Sequence, residues 1–260
     1  MQGCLKSAIV ALKAGNSAER GPLYVAFFNF SVGLERLLKL ILALNHCAHN
    51  NGKMPSRKAL KDFGHDVAEL YRTSEKLLAS YNIQLPAQCR LDAVDRRLLE
   101  FLAGFAISGR YFNLDALTGG GDSEDPLQEW GEILNAIYKA DVPELKRISN
   151  EEQVDALAAS TKDATVHLPA TGLDGSEQSY EEFCQDHGKI LLVMPEVIWR
   201  LVKILCPMKE LTLVLRERLQ RQMKGQSPDI PYMEEFLEFV TDDKSLVVDD
   251  NDEEGWPYFT

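Results

Sequence analysis

Closely spaced cysteine pairs are missing from this chain. Its five cysteines, Cys4, Cys47, Cys89, Cys184 and Cys206, are odd in number and widely scattered, whereas zinc sites and disulfide frameworks announce themselves by short regular spacings. Thiols in a reducing cytoplasm fit that pattern, so a cytoplasmic protein is expected. Long apolar runs are missing too. The most apolar stretch, 190–208, is broken by Glu196, Arg200 and Lys203 and by Pro195 and Pro207, which makes it too polar for a membrane span. A soluble chain with no membrane partner is the expectation. The first fifteen residues carry Lys6 and Lys13 but no continuous apolar core followed by a small-residue cleavage site. A secretory leader is therefore not expected, and the mature chain is expected to begin at Met1. No stretch alternates convincingly with period two, and no repeat of fixed period recurs. Positive charge is in deficit: 28 Lys and Arg against 40 Asp and Glu give −12, which on its own argues against wrapping nucleic acid or lying on anionic lipid.

What the chain does have is length and apolar content. With 260 residues, 45% of them hydrophobic, it can bury the core of one large or two modest domains, and disorder along its whole length is excluded. The charge is unevenly spread. Residues 1–120 hold 15 Lys and Arg against 10 Asp and Glu, net +5, so the remainder holds 13 against 30, net −17, and the two sum to −12. A basic first part is suited to a polyanion, while an acidic second part is suited to shielding, inhibiting or recruiting something else.

Apolar residues recur at helical spacing along most of the chain. Over 23–50 they are Leu23, Phe27, Phe30, Leu34, Leu37, Leu38, Ile41, Leu42 and Leu44, ended by Asn50-Asn51-Gly52 and Pro55. A second helix is predicted to begin near Ser56 or at Gly64 and to run to Tyr81, and a third to span 92–108. The run Thr118-Gly119-Gly120-Gly121-Asp122 reads as a turn, and Pro126 fits the first turn of another helix. Periodicity lapses over 163–179 around Pro169, Gly172 and Gly175. Residues 181–224 then read as three short helices or one kinked pair, punctuated by Pro195 and Pro207, and 233–240 as a shorter amphipathic piece. The fold class is all-α: an antiparallel helical bundle over 1–162, a linker or loop over 163–180, a second helical region over 181–240 and an acidic, aromatic tail over 241–260.

Three motifs stand in order on the bundle: Ser31-Val32-Gly33-Leu34-Glu35-Arg36-Leu37-Leu38-Lys39 on the first long helix, Phe63-Gly64-His65-Asp66-Val67 at a helix start, and Gly109-Arg110-Tyr111-Phe112-Asn113-Leu114-Asp115 after the third. In these the first half of the chain resembles the HEPN superfamily, small antiparallel helical bundles of bacterial defence and toxin systems. The resemblance implies a homodimer that binds or cleaves RNA without metal or cofactor. In active members an Arg precedes a His by a few residues on the last bundle helix, the cation facing the phosphate and the imidazole exchanging the proton. Here Asp115 stands five positions after Arg110, where the family offers His. A substitute site would pair Arg110 with His65 and orient the imidazole through Asp66, with Arg110, Tyr111 and Asn113 contacting substrate. The plainer reading has His65 satisfying a helix end, Asp66 complementing the helix dipole and the aromatic residues in the core. Glu35 and Lys39, one turn apart, read as a structural pair.

Other letter matches lead nowhere. His46 and His49 share a helix face, but no third ligand stands at a telling spacing. Leu168-Pro169-Ala170-Thr171-Gly172 lacks the hydrophobic span and basic tail of a sorting signal, and 119–121 lacks the following Lys and hydroxyl residue of a phosphate loop. Arg216, Arg218, Arg221 and Lys224 read as a solvated helix face or as a groove for an acidic segment. The tail, with Asp249 to Glu254 ahead of Trp256, Tyr258 and Phe259, reads either as a solubilising end or as a docking peptide. Two functions follow as expectations: RNA binding or metal-independent cleavage by the basic half, or a catalytically silent module whose acidic half binds a protein partner, as in immunity or antitoxin action.

Overall fold

A computed structural model describes residues 1–109, 112, 117–118, 125–160, 170–222 and 235–248. In these the fold is all-α, as the periodicity predicts. Helix α1 (Gln2–Ala14) buries Leu5, Ala8, Ile9 and Leu12, one stripe at three- and four-residue steps. Helix α2 (Gly21–His49), with Pro22 in its first turn, is the long predicted helix, and its Leu and Phe stripe is buried. It ends through left-handed residues at Asn51 and Gly52, and the Gly52 N–H closes back onto the Cys47 carbonyl at 3.0 Å.

Two helices stand where one is predicted: the start near Ser56 is found, while the second of the two begins at Val67, past Gly64. Ser56 caps α3 (Arg57–Asp62) by accepting from the Ala59 N–H, and Asp66 caps α4 (Val67–Ser80) by accepting from the Glu69 N–H. A single 3-10 turn, η1 (Ala87–Cys89), leads into α5 (Ala93–Ile107), which opens with a reciprocal cap. Asp92 accepts from the Val94 and Asp95 N–H groups, while the Asp95 carboxylate accepts from the Asp92 N–H. Asp125 caps α6 (Pro126–Asp141), with the proline in its first turn.

Helix α7 (Glu144–Ser160) follows, in a stretch where the sequence shows no clear apolar stripe. Residues 170–178 form a small hairpin of β1 (Ala170–Thr171) and β2 (Glu177–Gln178), antiparallel, with Ala170 opposite Gln178. Two-residue strands are too short to leave an alternation in sequence.

Residues 180–222 form one helix, α8 (Tyr180–Gln222), rather than separate pieces, with Pro195 and Pro207 inside it. Each internal proline costs on the order of 3 kcal/mol. Against this, Val193, Val197, Val202, Ile204, Leu205 and Met208 are fully buried, and complete burial of such a side chain contributes about 1.5 to 3 kcal/mol. Burial outweighs the broken hydrogen bonds, so the rod continues. It packs against α2, α4, α5, α6 and α7, and one apolar cluster runs from Leu5 on α1 to Val247 on α9 (Ser245–Val248), across the expected linker. At its centre Phe27, Phe101, Phe105 and Trp130 pack edge-on or tilted, with Phe27 4.9 Å from both Phe101 and Trp130. The amphipathic piece predicted over 233–240 is, from residue 235, a series of turns and not a helix. Leu237, Phe239 and Val240 are buried all the same.

Candidate functional site

Glu35, in the middle of α2, receives two donors, one from its own helix and one from a neighbouring turn. Lys39, one helical turn on, places Nζ 2.8 Å from Glu35 Oε1. His65 comes from the turn between α3 and α4, with Nδ1 2.9 Å from the same oxygen. Gly64 makes that approach possible: its φ of +77° is a left-handed conformation that side chains with a Cβ avoid. Lys39 Nζ also lies 3.2 Å from His65 Nδ1, the consequence of two donors sharing one acceptor. With Nδ1–H donating to the carboxylate, Nε2 is left as a proton acceptor. The imidazole is 80% exposed while Glu35 is half-buried. Burial by itself raises the Glu35 carboxyl, but the hydrogen bonds from Lys39 and His65 outweigh it and hold the group below the ordinary range. The site is thus an ionised carboxylate clamped to an exposed imidazole, with an ammonium beside both.

The sequence flanking it is basic. Arg36 is exposed on α2, and Lys53, Arg57, Lys58 and Lys61, all exposed, precede His65 on the approach to and along α3. Over 35–66 the balance is six Lys and Arg (Arg36, Lys39, Lys53, Arg57, Lys58, Lys61) against Glu35, Asp62 and Asp66, net +3. The other residues of the motifs are less closely engaged. Asp66 does not meet the imidazole, because its carboxylate is occupied in capping α4. Ser31 donates to the Leu102 carbonyl at 2.8 Å and ties α2 to α5. Gly33 lets α1 against α2, since a Cβ there would sit 2.7 Å from Leu5 Cγ. Arg110, Tyr111, Asn113 and Asp115 lie outside the described residues, as do Lys224 and the 249–260 tail.

A second cluster escaped the motif reading altogether. Arg200, in the buried middle of α8, donates from Nε and Nη2 to Asp141 at 2.6 and 3.1 Å. From Nη1 it donates to Asp92 at 2.9 and 3.1 Å and to Asp95 at 2.7 Å. Lys203, one turn along, reaches Asp95 Oδ2 at 2.6 Å. Burial raises the Asp92 carboxyl, but the Arg200 guanidinium and the Asp95 N–H more than reverse this and hold it well below the carboxylate range. The same acids hold the Arg200 guanidinium protonated against its burial. The sequence signal was the three charged residues, Glu196, Arg200 and Lys203, that break the 190–208 apolar run.

Among the described residues no three His, Cys, Asp or Glu side chains gather as a metal-ion group, and His49 Nδ1 is engaged with the Asn45 carbonyl at 2.9 Å. No described helix is long and apolar enough to cross a membrane. In the C-terminal basic cluster, Arg221 pairs with Glu217 at 2.7 Å and Arg218 lies over the Tyr81 ring, while Leu215 and Leu219 face the core. A cavity of about 310 Å³ lies between α6, α8 and the hairpin, lined by Asn135, Gln178, Asp186 and Lys189 together with Leu134, Leu173 and Ile190. Lys189 is hydrogen-bonded to Asn135 there, and burial pushes its ammonium below the ordinary value. Compared with models of protein families, with curated proteins and with solved structures, the chain matches none.

Proposed function

We propose that this chain is a HEPN-like helical protein that binds RNA through its basic N-terminal half as a homodimer and cleaves it without metal, in the manner of a bacterial defence or toxin-antitoxin component. The observation that supports this reading is the exposed His65 imidazole backed by Glu35. In the proposed step, Nε2 takes the proton of a ribose 2′-hydroxyl and the imidazolium so formed is stabilised by Glu35. The 2′-oxygen then attacks the adjacent phosphorus, the P–O5′ bond breaks, and the 5′-oxygen leaves with a proton taken from water, giving a cyclic phosphate end. Lys39 offsets the charge that grows on the phosphate. Arg110 enters as phosphate clamp, with Tyr111 and Asn113 as substrate contacts, on motif context alone. The orienting carboxylate is Glu35 in place of Asp66, and Lys53, Arg57, Lys58 and Lys61 hold the RNA backbone by charge.

The test is RNA cleavage in excess chelator, read on denaturing gels, with RNA affinity measured in parallel across salt. Cleavage is expected to fall about 10²- to 10⁴-fold in His65→Ala with little change in affinity, and a Lys58→Ala, Lys61→Ala double variant is expected to weaken binding and flatten its salt dependence. Equal cleavage by wild type and His65→Ala overturns the catalytic assignment.

A second reading rests on a different surface. Along α7 and the start of α8 the acids Glu144, Glu151, Glu152, Asp155, Glu181 and Glu182 are exposed, with Leu145, Ile148 and Leu157 exposed among them. Acids that steer and apolar side chains that anchor suit a protein partner with a basic cleft, the catalytically silent immunity or antitoxin role. A chain that neither cleaves nor retains RNA at low salt favours this reading.

A further inference from the structure

Gln178, on β2, donates from Nε2 to the Asp186 carboxylate on α8. A carboxylate only accepts, so this bond fixes which way the amide points. The other end of the amide, Oε1, is buried and receives no hydrogen bond among the described residues. Such an acceptor is costly to leave empty and calls for a donor from outside the chain. Lys189, one turn along α8 from Asp186, has the opposite need. Its half-buried ammonium donates to the Asn135 side-chain oxygen and lies 5.4 Å from the Tyr138 ring centroid, both of them neutral groups, and it forms no ion pair among the described residues. Burial, with Lys139 assisting, pushes that ammonium below its ordinary value against the pull of Asp186. Both side chains line the cavity of about 310 Å³ between α6, α8 and the hairpin.

We propose that this cavity binds a free aliphatic α-amino acid, its carboxylate on Lys189, its ammonium on Gln178 Oε1 and its side chain against Leu134, Leu173, Ile190 and Val193. Each part of the molecule answers one feature of the site. Donation to Asn135 leaves the Lys189 ammonium two further N–H groups for a carboxylate. Asp186, hydrogen-bonded to the same amide, stands beside the empty Oε1 and favours a cationic donor there over a neutral hydroxyl. The other two acids of the cavity are already engaged, Glu132 with Arg97 at 2.5 Å and Asp174 with the Ser176 N–H at 3.0 Å. The four aliphatic residues are buried and give the wall its apolar part. A cavity of this volume is at the small end of ligand sites, which suits a single amino acid and not a peptide. The site shares no residue with Glu35, Lys39 or His65.

Equilibrium dialysis of the full chain against radiolabelled L-leucine tests this, with L-leucinamide and 4-methylpentanoate as competitors. The expected result is saturable binding of one leucine per chain. Leucinamide lacks the carboxylate and 4-methylpentanoate the ammonium, so each is expected to compete at least about tenfold less well than unlabelled leucine. L-Glutamate is expected to compete less well too, because its side chain brings a charge to the apolar wall. Lys189→Met is expected to weaken leucine binding by at least about tenfold with an unchanged circular dichroism spectrum. Absence of saturable binding at millimolar leucine overturns the proposal, as does leucinamide or 4-methylpentanoate competing as well as leucine; both are read on the wild-type chain and depend on no variant. A folded Lys189→Met that binds leucine as tightly as wild type overturns the placement of the carboxylate.

Discussion

Arg200 Nη1 lies 2.7 Å from Asp95 Oδ1, joining a guanidinium 5% exposed to a carboxylate with no exposure at all. The other oxygen of Asp95 accepts from Lys203 and from the Asp92 N–H, so its acceptor sites are filled from two elements. Desolvating a carboxylate and a guanidinium costs several kcal/mol each, and only this density of charged hydrogen bonds offsets it. The geometry gathers the first turn of α5 and the last residue of α6 onto the middle of α8. Elements far apart in sequence are thereby held in register through one side chain.

Arg200→Met is expected to lower stability by about 3 to 5 kcal/mol, because Asp95 is left buried with Lys203 as its remaining charged partner. Urea unfolding followed by circular dichroism measures it. A loss below about 1 kcal/mol, the range of exposed ion pairs, would show that water compensates the cluster.

Acid should weaken the same cluster. The Asp92 carboxyl lies below its ordinary value of 3.8 in the folded chain, so its contribution is present above that value and is lost as pH falls toward the lower, folded one. Glu35, held below 4.5 by Lys39 and His65, acts in the same sense. The thermal midpoint of the wild type is expected to drop steeply below about pH 4. In Arg200→Met the drop should be shallower, because the guanidinium that does most to depress Asp92 is gone. Parallel curves for the two proteins contradict the linkage.

Two glycines on neighbouring helices separate close packing from helix propensity. At Gly33 a Cβ meets Leu5 Cγ at 2.7 Å and the Leu5 backbone nitrogen at 3.2 Å, whereas at Gly3 it meets nothing within 4 Å. Gly33→Ala is expected to destabilise by about 1 to 3 kcal/mol. Gly3→Ala, inside α1 and exposed, should stabilise by up to about 1 kcal/mol. Unfolding midpoints of the two variants having the same sign would contradict the close approach of α1 to α2.

Glu35→Gln leaves His65 a hydrogen-bond partner but removes the charge that supports an imidazolium. If the proposed cleavage operates, this variant should lose activity by less than His65→Ala, and Glu35→Asp should recover part of the loss while RNA affinity stays level. Activity unchanged in Glu35→Gln removes Glu35 from the proposed step.

Local chemistry decided the helices. Apolar residues at three- and four-residue steps set α2, α4 and α5, and short polar side chains at Ser56, Asp66, Asp92 and Asp125 set where α3, α4, α5 and α6 begin. Each of those signals lies within one or two turns of its effect. The prolines in α8 misled for the same reason: their cost is local, while the burial that outweighs it comes from five other helices. Glu35 and Lys39 were legible as a pair, since they stand on one helix; the arrival of His65 on Glu35 was not, since it depends on how α3 and α4 fold back on α2.

By itself, then, the sequence determined an all-α chain, the boundaries of α2 and α5, the start of α6, and a basic first part with an acidic remainder, while α1 and α7 were not predicted. Tertiary structure alone decided that Arg200 meets Asp92, Asp95 and Asp141 and that His65 meets Glu35. Periodicity and capping act over a few residues and can be read along the chain. Contacts between distant charged groups depend on how whole helices pack, and no spacing in the sequence encodes them.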